Sequence, residues 1–202
     1  MKLYYAPGTC ALACWIALEW AQADYQVQKV DYADPDFRKI NPLGMVPALE
    51  IGRERAMTQA DAILQYIVQK HPEADLGAKD GIDNVFEFNE TMAFLTGDFH
   101  PAFWPIFNPG RYTTAQDQAS LDHVLAAAEK RVDIAMNHLD HLIGETGHVY
   151  QDKRTVADAY AFIMAQWSKK VSKTWKDYPH LAKFMETMKS DPAVQKVLAA
   201  AK

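Results

Sequence analysis

Apolar positions in the first seventy residues follow two periods. Leu3-Tyr4-Tyr5-Ala6 and Tyr25 to Asp31 read as short strands, and the apolar run Ala11 to Ala21 between them reads as a helix. Ala48 to Ile51 and Ala56 to Thr58 flank Gly52-Arg53 as a hairpin, and Ala60 to Lys70 has helical spacing. The order is βαβ followed by ββα, which predicts a small mixed sheet with helices on it. After His71-Pro72-Glu73-Ala74-Asp75-Leu76-Gly77 every periodic segment is helical. Phe88, Met92, Leu95 and Phe99 recur at helical intervals, and Leu121, Val124, Ala128, Val132, Ala135, Leu139 and Leu142 form one long stripe suited to a bundle helix. Asp191 before Pro192 starts a last helix that buries Val194, Val197 and Leu198. Residues 1–76 are therefore expected to form an α/β domain and residues 77–202 an all-helical one.

Composition narrows the function more than the fold. With 202 residues and 49% hydrophobic composition the chain can bury a full core. A formal charge of -5 with dispersed lysines and arginines offers no basic stripe, so a nucleic-acid partner is not expected. No apolar stretch is long enough to span a bilayer, so no membrane partner is expected either. Met1-Lys2 and the apolar residues up to Ala23 imitate a leader peptide, but Pro7-Gly8 and Glu19 interrupt them, and they supply the first strand and helix of the pattern. Only Cys10 and Cys14 carry thiols, four residues apart on one helix. Their side chains stack rather than face each other, which disfavours a disulfide. The usage fits a reducing, cytoplasmic compartment. His138, His141 and His148 lack the cysteines or carboxylates that would complete a shell, so no metal is assigned.

Cys10 is the leading chemical candidate. It falls where the first strand, after Pro7-Gly8-Thr9, turns into a helix. Orphan N–H groups and the positive helix end favour thiolate there, so its thiol is expected to titrate below the free value of about 8.5. A small packed residue is the other reading, and the segment alone leaves both open. Asn41-Pro42-Leu43-Gly44-Met45-Val46-Pro47-Ala48-Leu49 puts a proline ahead of a strand. A cis Val46-Pro47 bond would free the Val46 backbone to pair with an extended peptide, although most such bonds are trans. Thr58-Gln59-Ala60-Asp61 opens a helix whose N–H groups suit a carboxylate or serve only as a cap. Thr155-Val156-Ala157-Asp158 has capping-box spacing and a structural reading.

Taken with Phe99-His100-Pro101-Ala102-Phe103, these segments resemble the glutathione transferases, specifically the bacterial beta class, along nearly the whole chain. The resemblance implies a thioredoxin-like N-terminal domain, a helical C-terminal domain, a homodimer, and glutathione as co-substrate in the detoxification of small hydrophobic electrophiles. It places glutathione against Thr9, Cys10, Val46, Pro47, Gln59, Ala60, Asp98, His100 and Trp167. Cys10 meets the glutathione sulfur, Val46 its cysteinyl backbone, and Gln59 and Ala60 its γ-glutamyl end. Cys10 and His100 are the expected catalytic pair, and Phe103, Trp104 and Phe107 the expected electrophile pocket.

The chain also departs from that pattern. No lysine stands where one is expected for the glycyl carboxylate of glutathione, leaving Arg38 or Lys39 as substitutes; Pro101 replaces a second lysine and Ala93 an asparagine. Two readings follow: an enzyme that conjugates glutathione or exchanges thiols and disulfides through Cys10, and a non-catalytic binding or interaction protein on the same fold.

Overall fold

The computed structural model describes residues 1–202. Its sheet has four strands, β1 (Lys2–Tyr5), β2 (Gln26–Lys29), β3 (Ala48–Glu50) and β4 (Met57–Thr58), in the order β2-β1-β3-β4. β1 runs parallel to β2 with Leu3 beside Val27, and antiparallel to β3 with Leu3 beside Leu49. β4 is antiparallel to β3. The parallel pair requires a crossover, and α1 (Ala11–Trp20) supplies it.

α1 is buried along Ala11 to Leu18, because it lies between the sheet and the helical half. A helix covered on all sides needs apolar residues all round, and Ala11, Ala13 and Ala17 let neighbours approach closely. α3 (Ala60–Lys70), α8 (Val156–Ala165) and α10 (Pro192–Ala200) pack against it, and one continuous core runs from Leu3 to Val197. A short helix not expected from the sequence, α2 (Phe37–Ile40), covers the other sheet face, where Phe37 meets Tyr4 at 5.9 Å between ring centroids.

The helical half continues with α4 (Ile82–Phe94), which passes through a π-turn at Leu95–Phe99 into α5 (His100–Ala102) and α6 (Trp104–Phe107). α7 (Gln118–Ile143) is the long bundle helix, and Asp117 caps it by accepting the Ser120 N–H at 3.0 Å. α9 (Pro179–Ser190) leads into α10, whose cap Asp191 accepts the N–H groups of Ala193 and Val194. No helix is long and apolar enough to cross a membrane.

At α8 the acid of the expected capping box reaches back to the Thr155 N–H, while the Thr155 hydroxyl is buried without a partner, and the acid does more than cap. Asp158, with no exposed surface, accepts the Thr155 and Val149 N–H groups at 2.8 Å each and meets His148 Nδ1 at 3.3 Å. That partner holds the His148 pKa above its ordinary value. Folded His148 therefore binds its proton more tightly than the unfolded chain does. Its contribution to stability is complete below about pH 6.5 and is lost as pH rises through the raised value. Urea melts between pH 6 and 8 should show a decline in stability that His148→Gln lacks. Identical slopes for the two proteins would contradict this linkage.

Candidate active site

The loop Pro7-Gly8-Thr9 delivers Cys10 to the start of α1. Gly8 takes φ +71°, a conformation costly for side-chain-bearing residues, and its carbonyl accepts the Trp167 indole N–H at 2.8 Å. Thr9 Oγ1 donates to the Ala6 carbonyl at 2.7 Å. One bond ties the loop to the sheet and the other to the helical half, so Cys10 is held from both sides.

Cys10 occupies the expected helix start, but its protonation is not the expected one. The N–H groups of Cys10 and Ala11 favour the thiolate, while burial to 9% exposure opposes it and wins, pushing the thiol up to about 12. The thiol instead donates to the Val46 carbonyl at 3.6 Å. In the free protein, alkylation of Cys10 by iodoacetamide should keep accelerating past about pH 9, beyond the free-cysteine midpoint. A plateau near neutrality, followed by peptide mass spectrometry, would contradict the buried thiol. Cys14 is fully buried, packs below and donates to the Ala60 carbonyl at 3.7 Å.

His100 begins α5, just after the π-turn, and its ring lies 4.9 Å from Trp167 and 5.7 Å from Trp104. Burial pushes its pKa down to about 4, so the imidazole is neutral at physiological pH. Nδ1 lies 2.6 Å from the hydroxyl of Tyr160 on α8, and that is the hydroxyl's one hydrogen bond. With Tyr160 donating to Nδ1, the ring proton resides on Nε2 and the imidazole presents a donor to the cleft. Tyr160 is sixty residues from His100 in sequence, and nothing in its own segment marks it as a site residue.

The opposite rim is built from the cis Val46–Pro47 dipeptide and the start of α3. Gln59 takes φ 71°, ψ 120°, an uncommon conformation for a non-glycine residue, held where β4 hands over to α3. The free N–H groups of α3 open at Gln59-Ala60. Beside them Asp61 has a buried Oδ1 without a partner, and desolvation raises its carboxyl.

A cleft of about 1370 Å³ joins these parts. Of the expected residues, Thr9, Cys10, Val46, Pro47, Gln59, Ala60, His100, Trp104, Phe107 and Trp167 line it. Two do not. Asp98, in the π-turn just before His100, pairs with Arg131 at 2.6 Å. Phe103 has no exposed surface; it packs behind the wall, 5.8 Å from Trp167 and 6.4 Å from Phe107. Nor do Arg38 and Lys39 enter the cleft: the Arg38 guanidinium packs over Gly44, and Lys39 pairs with Asp36. The cations that line it are Arg111 and Lys170. Their spacing in sequence gives no signal that they meet.

The chain matches two family models: residues 8–70 the glutathione S-transferase N-terminal domain, and residues 98–201 its C-terminal domain. A glutathione S-transferase of Xanthomonas campestris is 32% identical over 99% of this chain and 98% of its own length. Among solved structures, a sphingomonad glutathione S-transferase complexed with glutathione is 33% identical with a TM-score of 0.86, covering 100% of this chain and 98% of that one. The beta-class glutathione S-transferase of Sphingomonas chungbukensis is 32% identical with a TM-score of 0.87 over the same shares. A two-domain match along the chain, a thioredoxin-like sheet joined to a helical bundle, and a cysteine and histidine facing one cleft agree: the chain belongs to the glutathione S-transferase family, with its bacterial beta-class members.

Proposed function

We propose that this glutathione transferase binds glutathione along the Val46 and Gln59 rim and conjugates it to small electrophiles held against Trp104 and Phe107, with Cys10 and His100 acting as neutral hydrogen-bond donors to its sulfur. One observation carries the reading: Cys10 and His100 line one cleft while shielded from water by the fold, and burial favours the uncharged form of each. An incoming thiolate meets two donors and no competing negative charge from Cys10. Donors fixed before the reaction, in a site shielded from water, stabilise an anion without reorganising. Glutathione's cysteinyl backbone, pairing with Val46, competes for the carbonyl that Cys10 now uses and turns the thiol toward the glutathione sulfur.

The reaction is nucleophilic addition or substitution. The glutathione sulfur forms a bond to the electrophilic carbon; in a substitution the leaving group departs with its electron pair, and the thiol proton goes to solvent. Exchange with disulfides uses the same thiolate. Retention on immobilised glutathione together with turnover of 1-chloro-2,4-dinitrobenzene is the expected result. Absence of both would favour the non-catalytic reading.

We also propose a homodimer. α4 carries Ile82 at 85% exposure and Phe86 at 66%, with Val85 beside them, more apolar surface than one short helix face ordinarily leaves to water. Light scattering at micromolar concentration should give about twice the 22.8 kDa chain mass. The monomer mass would overturn this. Division of the chain at residues 76 and 77 is proposed on the end of the sheet-bearing segment at α3. Cytoplasmic residence is proposed on the two free thiols, which keep their state in a reducing compartment.

A further inference from the structure

We propose that the acceptor half of the cleft selects electrophiles that carry a carboxylate, held by Arg111 and Lys170. The proposal rests on the transferase reading and names the substrate class of that same site. Three observations carry it.

First, aromatic rings form a continuous path from the donor to a cation. The His100 ring lies 4.9 Å from Trp167, Trp167 lies 4.9 Å from Phe107, and Lys170 Nζ lies 5.8 Å from the Phe107 centroid. An aryl substrate lying along this path, with its reacting carbon toward His100, extends toward an ammonium group. Arg111, in the turn that follows α6, lines the same cleft.

Second, these cations are uncommitted. Arg131 and Lys173, which do not line the cleft, are neutralised by Asp98 at 2.6 Å and Asp133 at 2.8 Å, whereas Arg111 and Lys170 have no carboxylate partner. The one carboxylate that lines the cleft, Asp61, belongs to α3 in the sheet-bearing half. Third, the chain as a whole carries a formal charge of -5, so two unpaired cations beside an apolar wall make a local exception that attracts anions. A guanidinium and an ammonium beside aromatic rings match an aryl or alkenyl carboxylate, the guanidinium offering a paired donor fork and the ammonium a point charge.

Two electrophiles of one shape test this: neutral 4-chloro-3,5-dinitrobenzamide and anionic 4-chloro-3,5-dinitrobenzoate. In both, the glutathione sulfur bonds to the ring carbon bearing chlorine, the C–Cl bond breaks, and chloride leaves with its electron pair. The expected result is a kcat/KM ratio that favours the benzoate and falls as salt is raised, since screening acts within about 8 Å at physiological ionic strength. In the Arg111→Gln/Lys170→Gln double variant the ratio should fall by about tenfold. A ratio unchanged by the substitutions overturns the proposal. So does a rise in KM for glutathione at constant ratio, which would assign the cations to the tripeptide instead. If neither electrophile turns over, the transferase reading fails separately. Tryptophan quenching by the two S-aryl glutathiones then still reads the preference, and equal affinities that do not respond to the double variant overturn it.

Discussion

Alanine at Cys10 should lower the conjugation kcat/KM by about tenfold to hundredfold, the cost of removing one preorganised donor from a developing or bound anion. Serine at the same position should recover most of that loss. A hydroxyl donates as a thiol does and is even harder to ionise, so rescue by serine separates a donor from a nucleophile. A nucleophilic Cys10 makes a different prediction: both variants lose glutathione-dependent disulfide reduction, because neither alanine nor serine can form a mixed disulfide. Steady-state kinetics of Cys10→Ala and Cys10→Ser with 1-chloro-2,4-dinitrobenzene and with hydroxyethyl disulfide, at saturating and limiting glutathione, distinguish the two. A serine variant as impaired as the alanine variant would contradict the donor role.

The second large effect is on stability. Asp158→Ala removes a fully buried carboxylate that accepts two N–H groups at 2.8 Å and faces His148. Both N–H groups lie in the interior, where each lost partner costs about 1 to 3 kcal/mol. A destabilisation of about 3 to 5 kcal/mol follows, larger than an exposed helix cap contributes. Asp158→Asn keeps one acceptor oxygen and should lose about half as much. The carboxylate does not line the cleft, so kinetic constants of the folded fraction should stay close to those of the unsubstituted protein. Urea melts of both variants check the size, and an Asp158→Ala midpoint within error of the parent would contradict the assignment.

Much of this architecture is legible in the residues because local signals agree with one another. The bounds of α3 coincide with those expected from its spacing, and the Asp191-Pro192 cap starts α10. Phe88, Met92, Leu95 and Phe99 all face the core. The bond at Val46–Pro47 is cis, against the ordinary expectation for such a pair. What sequence spacing does not carry is burial by distant segments. Cys10 has the local features of an ionised thiol, yet desolvation by the surrounding fold reverses the outcome. Tyr160 meets His100 from another helix. Asp98 lies in a π-turn, which changes helical phase by a fraction of a turn, and its carboxylate pairs with Arg131, while Phe103 packs behind the cleft wall. α2 has only four residues, too few for a period, and is held in place chiefly by Phe37 against the sheet.

The protonation state of the site sulfur is the centre of this account, and thiolate ultraviolet absorbance against pH reads it directly, in the free protein and with glutathione or S-methylglutathione added. The free protein should show no Cys10 thiolate at neutral pH, since burial holds that thiol near 12. Adding glutathione should introduce a thiolate whose midpoint lies well below the free-thiol value of about 8.5, while S-methylglutathione introduces none. A thiolate already present at pH 7 in the free protein and absent from Cys10→Ala would contradict the account, making Cys10 the ionised nucleophile.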